Sequence, residues 1–281
     1  MKSSPFAGLL LVCDMDGTLV NSKNEVSPEN IAALKRFVEG GGLFTVATGR
    51  TARGASLNLK GLPVNIPAIV INGSQIYDLK QNQILWHSFI EDDIDGLLSD
   101  LPLNFPQLGM EIFFEGGVSI TRSNDWVEAH RLREIILPGT MEVNKIPKPW
   151  YKIVLSCDNR GLKEVQFYLA GKTTHCKTVF SEEKFLDLMN IETSKGNALQ
   201  VLVHKLKLSD LKIIAVGDNL NDLEMIQIAD IGVAVGNAHE ILKKHATLCS
   251  AHHDEHAIYQ VINWIEQNLS GERLMKRKRI Q

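Results

Sequence analysis

The sequence predicts an α/β fold built on a parallel sheet, and two observations support this. Short apolar runs alternate with helical patterns at both ends of the chain, which is typical of parallel strands joined by crossover helices. Between about residue 82 and residue 189 this alternation stops, and prolines recur at positions 102, 106, 138, 147 and 149. We therefore expect a core of residues 1–81 and 190–281, with a separate α/β module of residues 82–189 inserted into it.

The elements of the core follow one another in a regular order. Leu9–Cys13 is the first apolar run, and Ser27 with Pro28 predicts the start of a helix that ends at the glycines 40–42. Its expected buried stripe is Ile31, Leu34, Phe37 and Val38. Further core strands are expected at 43–47, 68–71, 213–216 and 231–235, and further core helices at 51–60, 195–207, 220–228 and 254–268. In the insert, strands are expected at 111–114 and 151–155, and helices at 125–136 and 161–170.

Composition excludes several classes of protein. The chain has 281 residues, 44% of them hydrophobic and 22% charged, with a net charge of −3. This is the composition of a globular protein, and it provides no overall charge that would attract nucleic acid or a membrane surface. No apolar run approaches the roughly 18 residues of a membrane helix, and the first run is too short for a signal peptide. The four cysteines have no C-x-x-C spacing, so we expect a reducing, cytoplasmic setting without a zinc or redox motif.

Two aspartates directly after the first strand are the strongest chemical signal in the chain. Asp14 and Asp16 are separated by one residue at the end of an apolar run, so their side chains leave an extended segment on the same side. Two carboxylates held so close repel each other unless a cation or a shared proton offsets their charge. The arrangement predicts chemistry at this strand end rather than a purely structural role.

Polar residues follow other predicted strands as well. Thr48 and Asn72 follow the second and third apolar runs, and Asp218 and Asp222 follow the run at 213–216. Each of these residues alone has an ordinary role in a turn or a helix cap. Ligands of open α/β sheets, however, bind outside the carboxyl ends of the strands. If the runs form one parallel sheet, these side chains meet at a single site.

The residues at these strand ends resemble the four motifs of the haloacid dehalogenase superfamily, in particular its Cof-like branch. The segments 71–78, 193–199 and 233–238 carry the resemblance to that branch. It implies a Rossmann-like core with an inserted α/β cap of the larger, C2 type (type IIB). The matching motifs are Asp14-Met15-Asp16-Gly17-Thr18-Leu19, Thr48-Gly49-Arg50, Lys195-Gly196 and Gly217-Asp218-Asn219-Leu220-Asn221-Asp222.

The resemblance implies a Mg²⁺-dependent phosphatase that works through an aspartyl-phosphate. Asp14 is the implied nucleophile, and Asp16 is implied to protonate the leaving oxygen and then to activate water. The ion pumps of the superfamily have threonine in place of Asp16, so a short-lived phosphoenzyme is expected here. The implied metal ligands are Asp14, the backbone carbonyl of Asp16, Asp218 and, at the edge of the metal, Asp222. The implied phosphate and substrate contacts are Gly17, Thr48, Gly49, Arg50, Asn72, Lys195 and Asn221, and Thr48 and Lys195 also count as catalytic.

The position of the insert, between the second and third motifs, resembles that of a lid over the active site. A lid favours small organophosphates over phosphoproteins, and relatives usually act on sugar phosphates, pyridoxal phosphate or FMN. A phosphotransferase such as a phosphomutase and a non-catalytic protein that binds phosphate ligands stay open as alternatives. We expect a small phosphorylated metabolite as partner, no nucleic acid or membrane, and a monomer or homodimer. Candidate cap contacts are Glu111, Glu115, Arg122, Trp150 and Lys152.

One loop departs from the family pattern, and a basic segment lies near the end of the sequence. Relatives usually have an acidic pair followed by glycine after the last strand, whereas this chain has His252-His253-Asp254-Glu255-His256. The histidines are compatible with a transition-metal site, and a polar loop with a helix cap at Asp254 is the simpler interpretation. The basic segment 276–279 is expected to be a frayed, solubilising chain end, with nucleic-acid binding or targeting as the alternative.

Overall fold

The structure is a computed structural model, and it describes residues 4–134 and 139–269. The strands are β1 (Leu9–Cys13), β2 (Leu43–Val46), β3 (Ala68–Val70), β4 (Gln75–Asp78), β5 (Gln83–His87), β6 (Gly109–Phe114), β7 (Gly117–Arg122), β8 (Trp150–Ser156), β9 (Cys176–Glu182), β10 (Phe185–Asn190), β11 (Lys212–Gly217), β12 (Ile231–Ala234) and β13 (Leu248–Cys249). The helices are α1 (Pro28–Glu39), α2 (Ala52–Leu59), α3 (Asp95–Asn104), α4 (Asp125–Glu134), α5 (Asn159–Leu169), α6 (Lys195–Lys205), α7 (Leu223–Ile228), α8 (Glu240–His245) and α9 (Ala257–Leu269).

Five parallel strands form the main sheet, in the order β13-β12-β11-β1-β2. Strand β1 lies between β11 and β2, and its Leu10 is paired with Ile213 on one side and Leu43 on the other. Every residue of β1 is buried, as expected for a central strand of a parallel sheet with both faces covered. The predicted α/β class and its parallel sheet are therefore confirmed.

Helix α1 begins and ends at the predicted residues. The hydroxyl of Ser27 accepts a hydrogen bond (3.3 Å) from the backbone three residues later, and Pro28 is the first helical residue. Leu34 and Phe37 are buried, and the chain leaves the helix at Gly40. The capping residues and the apolar stripe thus define this element locally, and α9 packs against it.

The third apolar run lies beside the main sheet but forms most of its hydrogen bonds with a hairpin. Strand β3 is antiparallel to β4, which in turn is paired with β5, and an isolated parallel bridge from Ala47 to Ile69 joins β3 to the end of β2. The strand ends one residue earlier than expected, because Ile71 (φ 52°) and Asn72 (φ 53°) adopt left-handed backbone angles. Asn72 still reaches the end of β2, where its backbone N–H donates to the carbonyl of Thr48 at 2.9 Å.

A second sheet of five antiparallel strands occupies the inserted segment, in the order β7-β6-β8-β10-β9. Its buried apolar cluster includes Leu98, Ile112, Ile153 and Leu188. The sequence predicted β6, β8, α4 and α5 but missed β7, β9, β10 and α3. Strand β9 is half-buried along its whole length, and α3 contains Pro102, so neither has a clear periodic pattern. The predicted domain boundaries, at residues 81/82 and 189/190, fall in the turn between β4 and β5 and at the end of β10. The division into two domains stays a prediction.

Some expectations concern features outside the two sheets. Among residues 4–134 and 139–269, no helix is both long and apolar enough to cross a membrane. All four cysteines are free thiols. The predicted helical residues 135 and 136 and the basic segment 276–279 lie outside the described residues.

Candidate active site

Three carboxylates lie together at the carboxyl edge of the main sheet. Asp14 follows β1, whereas Asp218 and Asp222 follow β11. Each has a carboxylate oxygen within 4.8 Å of the others, and Asp14 and Asp222 are buried. Because β1 and β11 are adjacent and parallel, their carboxyl ends bring together aspartates that are some 200 residues apart. The predicted convergence of these side chains is therefore observed.

Lys195 places a buried ammonium group among the carboxylates. It is the first residue of α6, and its side chain is 1% exposed. Its Nζ lies 2.5 Å from Oδ1 of Asp14 and 2.6 Å from Oδ1 of Asp222. A cation at a helix N-terminus is mildly unfavourable, so these two carboxylates stabilise the ammonium group in its place.

The cluster carries more negative charge than one ammonium group offsets. Burial raises the pKa of Asp14 well above its ordinary value, against the effect of Lys195, and the neighbouring carboxylates add to the rise. Burial, reinforced by Asp222, raises the pKa of Asp218 to about 7. Burial alone would lower the pKa of Lys195, but Asp14 and Asp222 outweigh it and raise that pKa. The electrostatics of the site thus favour an additional cation.

Asp222 has partners for both of its carboxylate oxygens. One faces Lys195, and the other accepts hydrogen bonds from the backbone N–H groups of Asp218 (3.0 Å) and Asn219 (3.2 Å). The Asn219 side chain completes a capping box in this turn. These bonds fix the turn that carries Asp218, which fits the expected place of Asp222 at the edge of a metal site.

The loop after β1 approaches Asp218 closely, and this requires glycine at position 17. Gly17 has φ +78°, and a Cβ atom there would lie 2.5 Å from Oδ2 of Asp218. The hydroxyl of the next residue, Thr18, donates to Oδ1 of Asp218 at 3.2 Å. A larger residue at position 17 would be strained and would displace the Asp218 carboxylate.

Asp16 forms a two-point ion pair with Arg50. Nε and Nη2 of Arg50 donate to the two carboxylate oxygens at 2.9 and 2.5 Å. The guanidinium also donates to the side chains of Asn58 (2.6 Å) and Asn24 (3.0 Å). Pairs with this geometry are strong and directional, so the Asp16 carboxylate is held in one orientation.

A cavity of ≈ 570 Å³ lies over this cluster. All of the predicted site residues except Thr48, Lys195 and Asp222 line it, and these three are buried. The hydroxyl of Thr48 accepts a hydrogen bond from the backbone N–H of Arg50 at 3.1 Å. The insert contributes the opposite wall, which includes residues of α4, β8 and β10.

A chain of polar contacts joins the core loops to the insert across one side of the cavity. The Asn221 amide donates to Oδ1 of Asn72 at 3.1 Å, and the Asn72 amide donates to Asp187 in β10. Lys152 in β8 lies 3.4 Å from Oδ2 of Asp187 and donates to the carbonyl of Gly49 at 3.1 Å. The inserted sheet is thereby held against the strand ends.

Two polar residues of the insert that line the cavity were not predicted, and four of the five candidate cap contacts do not line it. Asp187 and His130 line the cavity, and His130 contacts the buried Glu111 at 2.7 Å. A carboxylate inside an apolar run, as at Asp187 and Glu111, is the signal that identifies such positions. Lys152 is a cavity residue as expected. The other four candidate cap contacts do not line the cavity. Glu111 is buried behind His130, and Trp150 is in the apolar cluster of the insert. Arg122 donates to the carbonyl of residue 106, and Glu115 is exposed.

Comparisons with known proteins agree with this arrangement. The family model described as haloacid dehalogenase-like hydrolase matches residues 11–262. A crystal structure of a haloacid dehalogenase-like hydrolase from Bacteroides thetaiotaomicron is 27% identical and superposes with a TM-score of 0.81. The match covers 92% of this chain and 99% of that chain.

Two relatives illustrate how far the similarity extends. The 5-amino-6-(5-phospho-D-ribitylamino)uracil phosphatase YwtE of Bacillus subtilis is 26% identical over 291 residues, which cover 93% of this chain and 98% of that protein. The chloroplastic endoribonuclease YBEY of Arabidopsis thaliana is 25% identical over 283 residues, which cover 90% of this chain. These residues are only 45% of the Arabidopsis protein, so its name describes a longer protein.

Proposed function

The chain belongs to the haloacid dehalogenase-like hydrolases, and we propose that it is a Mg²⁺-dependent phosphatase of small organophosphates that works through an aspartyl-phosphate. The observation that carries this proposal is the cluster of Asp14, Asp218, Asp222 and Lys195 beneath a cavity of ≈ 570 Å³. A nucleophilic carboxylate, a cation site and a fixed ammonium group are the parts that phosphoryl transfer needs.

The residues of the cluster fit a divalent cation. The donors are carboxylate oxygens, which Mg²⁺ prefers. Burial, reinforced by the Asp222 carboxylate, raises the pKa of Asp218, and a bound cation would stabilise its charged form. Asp14 and Asp218 would hold the ion together with the backbone carbonyl of Asp16, and Asp222 would lie at its edge. When bound, Mg²⁺ supplies positive charge that neutralises the phosphoryl oxygens.

Asp14 performs the first step of the proposed reaction. One of its carboxylate oxygens forms a bond to phosphorus, the bond from phosphorus to the ester oxygen breaks, and the leaving oxygen takes a proton from Asp16. The Thr48 hydroxyl and the Lys195 ammonium group hold the phosphoryl oxygens during this transfer. Water then attacks phosphorus as it gives a proton to Asp16, and the bond from phosphorus to the Asp14 oxygen breaks, which releases phosphate and restores the Asp14 carboxylate.

Asp16 must leave its ion pair before it exchanges protons with the substrate. Both of its oxygens contact the Arg50 guanidinium at 2.5–2.9 Å, a geometry that holds the carboxylate away from other partners. We therefore propose that a bound phosphate draws Arg50 toward itself and releases Asp16. Once released, the Asp16 carboxylate takes up from solvent the proton that it gives to the leaving oxygen, so the acid/base group would be available only when substrate is present.

The dimensions of the cavity favour a small substrate. A volume of ≈ 570 Å³ is in the range of pockets for metabolites. The wall contributed by the insert combines Lys152, Asp187 and His130 with the apolar Phe185, which suits a leaving group with polar substituents on a carbon or ring skeleton. We propose a sugar phosphate, or a phosphate ester of the pyridoxal phosphate or FMN kind, as the substrate class.

Phosphate release by Asp14→Asn tests the proposal. The amide cannot form the phosphoenzyme, so kcat for p-nitrophenyl phosphate with Mg²⁺ should fall by roughly four to six powers of ten. The matched control is Asp210→Asn, which removes an exposed carboxylate and should leave kcat unchanged. Comparable turnover by Asp14→Asn and the unmodified chain would refute the nucleophile assignment.

The same assay separates the alternatives. A hydrolase transfers the phosphoryl group to water, so inorganic phosphate appears in step with loss of the ester. A phosphomutase instead returns the group to a second hydroxyl of a sugar, and little inorganic phosphate accumulates. Absence of both products with sugar phosphates and vitamin phosphates, between about pH 5 and pH 9, would favour a protein that only binds phosphate ligands.

A further inference from the structure

We propose that His252, His253 and Asp254 form a second metal site, which binds a transition-metal ion such as Zn²⁺ and is distinct from the acidic cluster. Each of the three side chains offers a ligand atom within 4.8 Å of the other two. They lie in the loop between β13 and α9, against residues 20–24 of the loop that follows the first strand. Several residues of that loop line the active-site cavity.

His253 is already oriented as a metal-binding histidine. Its Nδ1 lies 3.0 Å from the backbone carbonyl of Val20. A carbonyl oxygen only accepts hydrogen bonds, so Nδ1 carries the proton and Nε2 keeps a lone pair. The Ser22 oxygen lies 3.4 Å from Nε2, but its hydroxyl donates to Asp254. The Nε2 atom faces Oδ2 of Asp254 at 3.8 Å. A backbone carbonyl that fixes the tautomer and the ring is the usual support of a histidine ligand.

Asp254 is held in place by Ser22. The backbone N–H and the hydroxyl of Ser22 donate to the two carboxylate oxygens at 2.8 and 2.7 Å. Each carboxylate oxygen has a second lone pair, so these bonds orient the group without using all of its acceptor capacity. The same Oδ2 atom lies 3.6 Å from Nδ1 of His252 and is thus shared between the two rings.

The distances are close to those of a coordinated ion. Ligand atoms about 2.1 Å from a tetrahedral ion lie about 3.4 Å apart, whereas Oδ2 of Asp254 is 3.6 and 3.8 Å from the two histidine nitrogens. The ligand nitrogens of His252 and His253 lie within 4.8 Å of each other, so rotation of the half-exposed His252 ring toward His253 would complete the geometry. Nδ1 of His252 accepts the backbone N–H of Asp254 at 3.2 Å, and coordination would replace that hydrogen bond.

The donor set selects the kind of metal. Two imidazole nitrogens and one carboxylate suit Zn²⁺, Ni²⁺, Co²⁺ or Cu²⁺, whereas Mg²⁺ prefers oxygen donors. The side chains of His252 and Asp254 are each 43% exposed, so an ion can enter from solvent and complete its coordination with water. His256 is not part of the group, because its Nδ1 contacts Ser27 (2.9 Å) and Glu29 (3.3 Å).

Occupancy of this site would stabilise the entrance of the cavity. Asp254 and His253 bind Ser22 and Val20, which line the cavity. The backbone N–H of His253 also donates to Asn237 (3.0 Å), whose amide donates to the carbonyl of Gly17 (2.7 Å). A bound ion would therefore restrain the loop after β1 from two sides.

Calorimetric titration with Zn²⁺ tests the site in the full chain saturated with Mg²⁺. We expect one Zn²⁺ per chain. His252→Asn keeps an N-cap acceptor and removes one ligand, and His253→Gln removes another, so each should weaken binding by at least about tenfold. The matched control is His256→Asn, which changes a neighbouring histidine outside the group, tolerates the left-handed φ of 59° and should bind Zn²⁺ like the unmodified chain.

A second variant separates the new site from the acidic cluster. Asp218→Asn removes a carboxylate of that cluster and should leave Zn²⁺ affinity unchanged, and Co²⁺ bound to this variant should give the visible absorption of a nitrogen-containing site. Hydrogen exchange of residues 20–24 should slow on addition of Zn²⁺. Loss of Zn²⁺ binding in Asp218→Asn, or unchanged binding in both His252→Asn and His253→Gln, would overturn the proposal.

Discussion

Replacing Lys195 with methionine should destabilise the metal-free protein severely at neutral pH. The ammonium group is 1% exposed and lies 2.5 and 2.6 Å from the carboxylates of Asp14 and Asp222. Methionine has nearly the same length but no charge, so it removes the partner of two buried carboxylates without creating a large cavity. Breaking a buried ion pair in this way costs about 3–5 kcal/mol of the free energy of unfolding.

The pH dependence identifies the cause of that loss. In the Lys195→Met variant at pH 7.5, the carboxylates of the cluster repel one another without a compensating charge. At pH 5 the raised pKa values of Asp14 and Asp218 let these groups take up protons, which reduces the repulsion. The loss should therefore be smaller at pH 5. Mg²⁺ should also reduce it, because the ion supplies positive charge at the same place.

Urea unfolding of the full chain, followed by circular dichroism, measures these differences. The control is Lys205→Met, at an exposed position at the other end of the same helix, which should change the free energy of unfolding by less than about 0.5 kcal/mol. A loss below about 1 kcal/mol for Lys195→Met, or a loss of equal size at pH 5 and pH 7.5 without metal, would refute the charge argument.

Three further outcomes are expected. In EDTA the free energy of unfolding should fall as pH rises from about 4 to about 7, because the folded-state pKa of Asp218, about 7, exceeds its ordinary value of 3.8 and the folded state therefore binds more protons. The loss is at most about 4 kcal/mol. An unchanged midpoint in urea across this pH range would contradict this prediction. Gly17→Ala should lower the free energy of unfolding by about 1–2 kcal/mol through backbone strain and should weaken Mg²⁺ binding in calorimetry. Gly171 has a similar φ of +77° but open space around it. Gly171→Ala should therefore show the strain without a change in Mg²⁺ affinity. His256→Val should lower the free energy of unfolding by about 1–2 kcal/mol, because a β-branched residue is strained at φ 59°, and His256→Asn should not; equal stability of the two variants would count against this reason.

The last of these predictions concerns the loop in which the chain departs from the family pattern. Where relatives have glycine, the chain has His256, and the structure gives it the left-handed backbone that glycine adopts readily. The Ser27 hydroxyl contacts the His256 ring at 2.9 Å. The sequence could not predict this, because the identity of a residue such as histidine does not indicate that its backbone is left-handed.

The interpretations that depended on local patterns were largely correct. The apolar run of β1, the Ser27 cap of α1 and the order of elements in the core follow from side-chain periodicity and capping, which act over a few residues. The position of Asp14 and Asp16 at a strand end is equally local. The sequence did not predict strands β9 and β10, because pairing with neighbouring strands, and not their own side-chain periodicity, defines them as strands.

The sequence alone therefore determined the parallel α/β core and the residue types gathered at its carboxyl edge, since both depend on interactions between near neighbours. Only the tertiary structure decided several of the contacts: that Lys195 also contacts Asp222, that Arg50 binds Asp16, and that Asp187 from the insert contacts Asn72 of the core. Charged side chains attract any opposite charge within reach, and which charges come within reach is set by the packing of distant segments.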